Sequence, residues 1–122
     1  MEKYNKSIGN LGEDKACGYL SRRGYEIIER NVNFRGGELD IIAKKNDELV
    51  FVEVKTRTGT DFGEAYEAVT QAKINHIIHS ANMYIHKKNL YDIPVRFDVM
   101  EVYIDTSKRF FNTRINHIKN AF

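Results

Sequence analysis

Hydrophobic and polar positions alternate along this chain with two different periods, and the switches between them mark out seven elements. Residues 7–23 carry Ile8, Leu11, Ala16, Tyr19 and Leu20 near helical spacing, which predicts an amphipathic helix. Ser7 suits its N-cap and Gly24 its stop. Residues 25–32 (YEIIERNV) read as a strand, with adjacent Ile27 and Ile28 implying cover on both faces. A loop is expected over 33–37, where Gly36 and Gly37 permit unusual backbone angles. Two apolar runs at 39–43 and 49–54, separated by Lys45-Asn46-Asp47-Glu48, then read as a β-hairpin. A polar, glycine-bearing loop is expected over 56–63, placed to close over a ligand. Residues 70–88 form the clearest helix, with Ile74, Ile77, Ile78, Ala81 and Ile85 in one stripe and Thr70 as N-cap. Pro94 opens a strand over 95–104, and residues 109–118 read as the last strand. The order helix, three strands, helix, two strands predicts an α/β fold. A mixed five-stranded sheet would be flanked by helices, in one domain over 1–122.

Charges interrupt the hairpin in a regular way. Glu38 and Asp40 lie two apart on its first strand, and Glu53 and Lys55 two apart on its second, so each pair shares a face. With Asn46-Asp47 as a two-residue loop, Asp40 falls opposite Glu53 and Glu38 opposite Lys55. Opposed side chains stand roughly 4.5–5.5 Å apart at Cβ, where like charges destabilise. An Asp40–Glu53 pair therefore makes a poor scaffold but a good holder for a divalent cation, which seeks hard oxygen ligands. Lys55, one pleat away, is placed to orient a water or stabilise charge on a phosphate.

Composition narrows the setting without choosing the chemistry. With 42% hydrophobic and 30% charged residues in 122, the chain suits an ordinary globular domain. No apolar run approaches the ~18 residues of a membrane span, and MEKYNKSIGN lacks a signal peptide's apolar segment. A single cysteine, Cys17, excludes an internal disulfide and fits a reducing cytosol, so the expected location is cytoplasmic. A net charge of +2 permits nucleic-acid binding without arguing for it.

Other residues are candidates by position. Glu13 shares a helix face with Ala16, Cys17 and Leu20, so it is either a boundary carboxylate or a further ligand aimed at the hairpin. Gln71 and Lys73 lie in the first turn of the second helix, which favours anions. With Arg35 and Arg57 they are candidate phosphate contacts. His76, His79 and His86 read as surface histidines, and Arg96 with Asp98 as a framework ion pair.

The spacing Asp40…Glu53-Val54-Lys55 resembles the PD-(D/E)XK signature of the restriction-endonuclease-like superfamily, with Leu39 in place of the signature proline. A closer resemblance, to the YraN-like family of small bacterial proteins assigned to that superfamily, covers nearly the whole chain. It rests on Gly12-Glu13, Gly24-Tyr25, Arg30-Asn31, GELDIIA at 37–43, LVFVEVKTR at 49–57, EAV at 67–69, Lys73, RFDV at 96–99 and HIKNAF at 117–122. The resemblance implies a restriction-endonuclease-like core and a metal-dependent nuclease. Asp40 and Glu53 would hold Mg²⁺ or Mn²⁺ together with the Val54 carbonyl, and Lys55 would position the attacking water. Glu13 would be the extra helical acid of some relatives; apart from the resemblance, Glu38 on the hairpin face is a candidate further acid assisting the metal pair. The implied partner is nucleic acid, DNA ahead of RNA, with room for a homodimer and no membrane. Two alternatives stand beside it: a nucleic-acid-binding module without cleavage, and a scaffold whose acids are merely solvated.

Overall fold

The computed structural model describes residues 2–58, 69–107 and 112–122, with side chains from residue 8 onward. In chain order the elements are α1 (Glu2–Arg22), β1 (Glu26–Phe34), β2 (Gly37–Lys45), β3 (Glu48–Thr58), α2 (Gln71–Lys88), β4 (Val95–Asp105) and β5 (Asn112–Ile118). The strands form one sheet in the order β1-β2-β3-β4-β5, parallel between β3 and β4 and antiparallel elsewhere. This is the mixed α/β arrangement that the alternation of elements predicts. Among the described residues, no helix is long and apolar enough to cross a membrane.

The sheet is sandwiched because its central strands are apolar on both faces. Toward α1 it turns Ile41, Ala43, Val50, Val52, Met100, Val102 and Ile104, which enclose Ala16 and Leu20 of the helix. Toward α2 it turns Leu39, Ile42, Leu49 and Phe51, which enclose Ile77, Ala81 and Tyr84. Two glycines let the helices come close. A Cβ on Gly12 would meet the Thr56 side chain, with Oγ1 at 2.0 Å and Cβ at 3.0 Å. A Cβ on Gly37 would lie 2.4 Å from Ser80 Oγ and 3.2 Å from the His76 carbonyl.

Several boundaries differ from the sequence expectation. α1 begins at Glu2 rather than at Ser7, so Ser7 lies within the helix. Its end follows expectation: Gly24 takes φ +86°, and the Tyr25 and Gly24 N–H groups bond back to the Leu20 and Ser21 carbonyls. β1 is an edge strand whose pairing shifts between Ile27 and Glu29, and this leaves Ile28 38% exposed rather than covered. The expected 33–37 loop contracts to Arg35-Gly36, because Phe34 pairs with Gly37. β3 continues through Thr58, so Thr56, Arg57 and Thr58 are strand rather than loop; residues 59–63 of that expectation lie outside the described residues. In α2 the buried stripe is Ile77, Ser80, Ala81 and Tyr84, and Ile78 is 37% exposed. The helix meets the sheet along a line rotated from the aliphatic one, because Tyr84 donates to Glu29 Oε2 at 2.7 Å. Residues 109–111 of the expected last strand lie outside the described residues.

At the far end of the sheet a charged network fastens the chain terminus. Arg96 grips Asp98 through Nε and Nη2, each at 2.9 Å, while Nη1 reaches Glu48 at 3.0 Å and Nη2 also reaches the Tyr25 hydroxyl at 2.6 Å. Asp98 is fully buried and also takes His117 Nε2 at 2.7 Å and the Asn120 N–H at 3.1 Å. Burial alone would raise the Asp98 carboxyl, but these hydrogen bonds hold it below the usual carboxylate range. The framework role expected of Arg96 and Asp98 is what the geometry gives them, with His117 as a third member.

Candidate active site

The hairpin turn sets the register of the site. Asn46 and Asp47 take φ +51° and +65°, as a two-residue hairpin turn requires, and the ladder runs from Lys45–Glu48 to Ile41–Val52. There it stops. Asp40 and Glu53, the next step outward, lie beyond the last ladder pair. In place of a backbone partner, the Val54 N–H donates to Asp40 Oδ2 at 2.8 Å.

The strands change face at the same level. On β2, Ile41 and Ala43 point toward α1, yet Leu39 joins Ile42 on the α2 side, so strict alternation breaks at Asp40. On β1, Arg30 reaches Asp14 of α1 at 2.8 Å, whereas Val32 packs on the α2 side. Between them Asn31 takes φ +52°, a conformation that asparagine tolerates better than most residues. The pairs Arg30–Ile41 and Val32–Leu39 flank Asn31 and Asp40, which therefore lie opposite each other at the break. Asp40 thus stands where it acts on both sides of the sheet: its charge raises Glu13 on α1 and Glu53 on the α2 side.

Glu53 is the buried member of the pair, at 6% exposure. Burial, then the Asp40 charge and a hydrogen bond with Asp40, push its carboxyl up to about 8, opposed by Lys73 and Lys55. Lys73 comes from the first turn of α2, where the Thr70 hydroxyl accepts its N–H at 3.2 Å, and its Nζ stands 3.5 Å from Glu53 Oε1. Glu13 is also raised, by burial first and Asp40 second, against the pull of Arg30 and a hydrogen bond from Asn31. Its Oε1 is shielded and accepts no hydrogen bond among the described residues, with Arg30 Nη2 3.9 Å away. Cys17, one turn further along α1, is a half-buried free thiol, pushed up by burial.

The sequence candidates separate into two groups. Asp40, Glu53, Lys55, Val54 and Lys73 converge, with Glu13 joined through Asp40. Glu38 does not face Lys55 within the β2–β3 ladder; it is exposed and pairs with Asn33 of β1, because β2 has left β3 by that point. Arg35 is exposed in the β1–β2 turn. Gln71 is exposed and donates to Asn75 one turn on, at 2.9 Å. Arg57 lies on β3 one pleat beyond Lys55. Among the described residues, no group of three or more His, Cys, Asp or Glu side chains is gathered as a finished metal shell. The arrangement is a carboxylate pair with two lysines around it. Chemically, such a pair holds either a shared proton or a cation.

The class so defined is a small α/β protein with an acid pair and lysines at a fork between two strands of a mixed sheet. Residues 12–102 match the model of the uncharacterised protein family UPF0102. A Clostridium perfringens UPF0102 protein is 47% identical over 124 residues, covering 100% of this chain and 98% of its own length. A Clostridioides difficile relative is 48% identical over 118 residues, covering 97% and 98%. One from Caldanaerobacter subterraneus is 44% identical over 123 residues, with both chains fully covered. The chain belongs to the UPF0102 family, the YraN-like family that its motifs resemble.

Proposed function

We propose that this protein is a metal-dependent nuclease that hydrolyses phosphodiester bonds, DNA ahead of RNA. The observation that carries the reading is the Asp40–Glu53 pair. A carboxyl raised to about 8 by burial and then by a second carboxylate is a costly arrangement for a fold to keep. A divalent cation would remove that cost, and two hard carboxylate oxygen donors suit Mg²⁺ or Mn²⁺. Asp40 and Glu53 would hold the ion, with the Val54 carbonyl as a further donor. When bound, it would lower the pKa of water and offset charge building on the phosphate.

The chain's own residues supply the rest. Lys55 projects from the same face of β3 as Glu53, where its ammonium orients a water and stabilises the phosphorane charge. Lys73 offers a cation at the helix N-terminus, where anions are favoured. Asp40 is kept oriented by the Val54 N–H, so the acid pair does not depend on the cation for its geometry. The PD-(D/E)XK resemblance supports the same reading. The test is cleavage of duplex, single-stranded, flapped and branched DNA in Mn²⁺ by wild type and Lys55→Ala. Cleavage by wild type alone supports the nuclease. Equal metal-independent binding without cleavage by either would replace it with a binding module.

A further inference from the structure

On β3 the odd-numbered residues Glu53, Lys55 and Arg57 share one face, so Arg57 follows Lys55 by one pleat, roughly 6.5 Å along the strand. Its Nε and Nη2 atoms are shielded from solvent and have no hydrogen-bond partner among the described residues. These two atoms are the side-on edge of the guanidinium, the one that grips an oxyanion in a bidentate fork. Arginine stays charged at any working pH, so this edge cannot be relieved by losing its proton.

The neighbours do not relieve it either. In the parallel register Arg57 lies beside Tyr103, and Lys55 beside Glu101. Glu101 is buried and already engaged, accepting from Asn116 Nδ2 at 2.8 Å and hydrogen-bonding with Tyr103. Beyond Tyr103, on β5, Arg114 sets its guanidinium 4.7 Å from the centre of the tyrosine ring. Arg57, Tyr103 and Arg114 therefore make a cation–aromatic–cation row across three strands, one step along from Lys55. Tyr103 is buried, so the guanidinium groups rather than its ring would meet a nucleic-acid strand, and cations so placed suit its phosphates.

We infer that Arg57 forms a second anion site, which takes a phosphate of a nucleic-acid strand next to the phosphate held at Lys55. The inference rests on the reading under Proposed function for its ligand, but not on metal or cleavage. It makes an unusual prediction about the free protein. Where an arginine is structural, its removal destabilises; here Arg57→Met removes orphaned donors and raises the melting temperature in phosphate-free buffer.

The experiment uses the full chain in EDTA. Thermal melting is followed in inorganic phosphate against chloride of equal ionic strength, for wild type, Arg57→Met and Arg57→Lys. Binding of a labelled single-stranded oligonucleotide is then followed against salt concentration. Phosphate is expected to raise the wild-type melting temperature, to do nothing for the Met variant, and to act weakly on the Lys variant, which keeps the charge but lacks the fork. The oligonucleotide is expected to bind Arg57→Met more weakly, with a salt slope reduced by about one. An equal phosphate shift in wild type and both variants would overturn the anion site. A phosphate effect without any change in oligonucleotide binding would overturn its assignment to a strand and leave free phosphate as the ligand. If Arg57→Met melts lower than wild type, the guanidinium is structural and the inference falls. Loss of cleavage evidence alone, with these shifts intact, would count against the nuclease and not against the Arg57 site.

Discussion

Lys73 Nζ stands 3.5 Å from Glu53 Oε1, so a cation carried by α2 already leans on the buried half of the acid pair. It lowers the Glu53 carboxyl only in part, because burial and Asp40 still win. The acid pair is an unbalanced one, and its imbalance is open to measurement.

The first consequence is a pH dependence of unusual sign. Glu53 is raised to about 8 in the folded chain against an ordinary value of 4.5, so between these values the folded state binds more protons than the unfolded. Stability then falls as pH rises, by at most about 1.4 kcal/mol per unit for one proton. In EDTA, denaturation midpoints should drop steadily from pH 5.5 to 8.5, and Glu53→Gln should flatten that slope. Millimolar Mn²⁺ should restore the wild-type midpoint at pH 8 by mass action. A slope unchanged by Glu53→Gln would place the titrating group elsewhere.

Removing the lysine should act in two directions. Lys73→Met takes away the cation that opposes Asp40, so the Glu53 carboxyl moves further up and the free protein loses about 1 kcal/mol at pH 8. The figure is modest because the Lys73 side chain is 41% exposed. The same change removes a competitor for the acid pair, and Mn²⁺ should bind several-fold tighter by calorimetry. Weaker Mn²⁺ binding would show that Lys73 supports the cation rather than competing with it.

Gly12→Ala tests how closely α1 must approach. Alanine gains about 1 kcal/mol of helix propensity over glycine at a helix interior. Here its methyl would meet Thr56, whose own Cβ at 3.0 Å cannot rotate away. Overpacking typically costs ~1–3 kcal/mol, so the net effect should be destabilising, and Thr56→Ser should recover part of it. A melting temperature above wild type would show that α1 has room to shift.

Asp98 carries the opposite pH sign from Glu53. Its carboxyl is held low, so its contribution is present above the ordinary carboxylate range and is lost as pH falls through the folded value. Asp98→Ala should cost ~3–5 kcal/mol near neutrality, because the half-buried Arg96 is left without its main partner. Chemical denaturation at pH 7 measures it, and a loss below 1 kcal/mol would mean that Glu48 and Tyr25 suffice for Arg96.

Much of the fold was legible because short-range rules governed it. Asn46-Asp47 between alternating apolar runs dictated both turn and register, and Thr70 and Gly24 marked helix ends by chemistry that acts within a turn. The face switch was not legible. It arises from a left-handed Asn31 on one strand and Asp40 on its neighbour, and asparagine's tolerance for that conformation does not reveal when it is used. The expected Glu38–Lys55 pair failed for this reason, since strict alternation was carried one step past the fork. Lys73 was a candidate through its place at a helix N-terminus, but its contact with Glu53 depends on how α2 docks. His117 left no signal beyond its residue type, because its partner Asp98 is nineteen positions away on another strand.

The parallel pairing of β3 with β4 also orders events in time. β2 and β3 meet across a two-residue turn, whereas β4 reaches β3 only after the chain has run out through α2 and back. Contacts of short sequence separation form at lower entropic cost. Asp40 and Glu53 therefore come together early, before α2 delivers Lys73. If their repulsion is already felt in the folding transition state, refolding should slow as pH rises from 5.5 to 8 and level off above it, while the unfolding rate changes little.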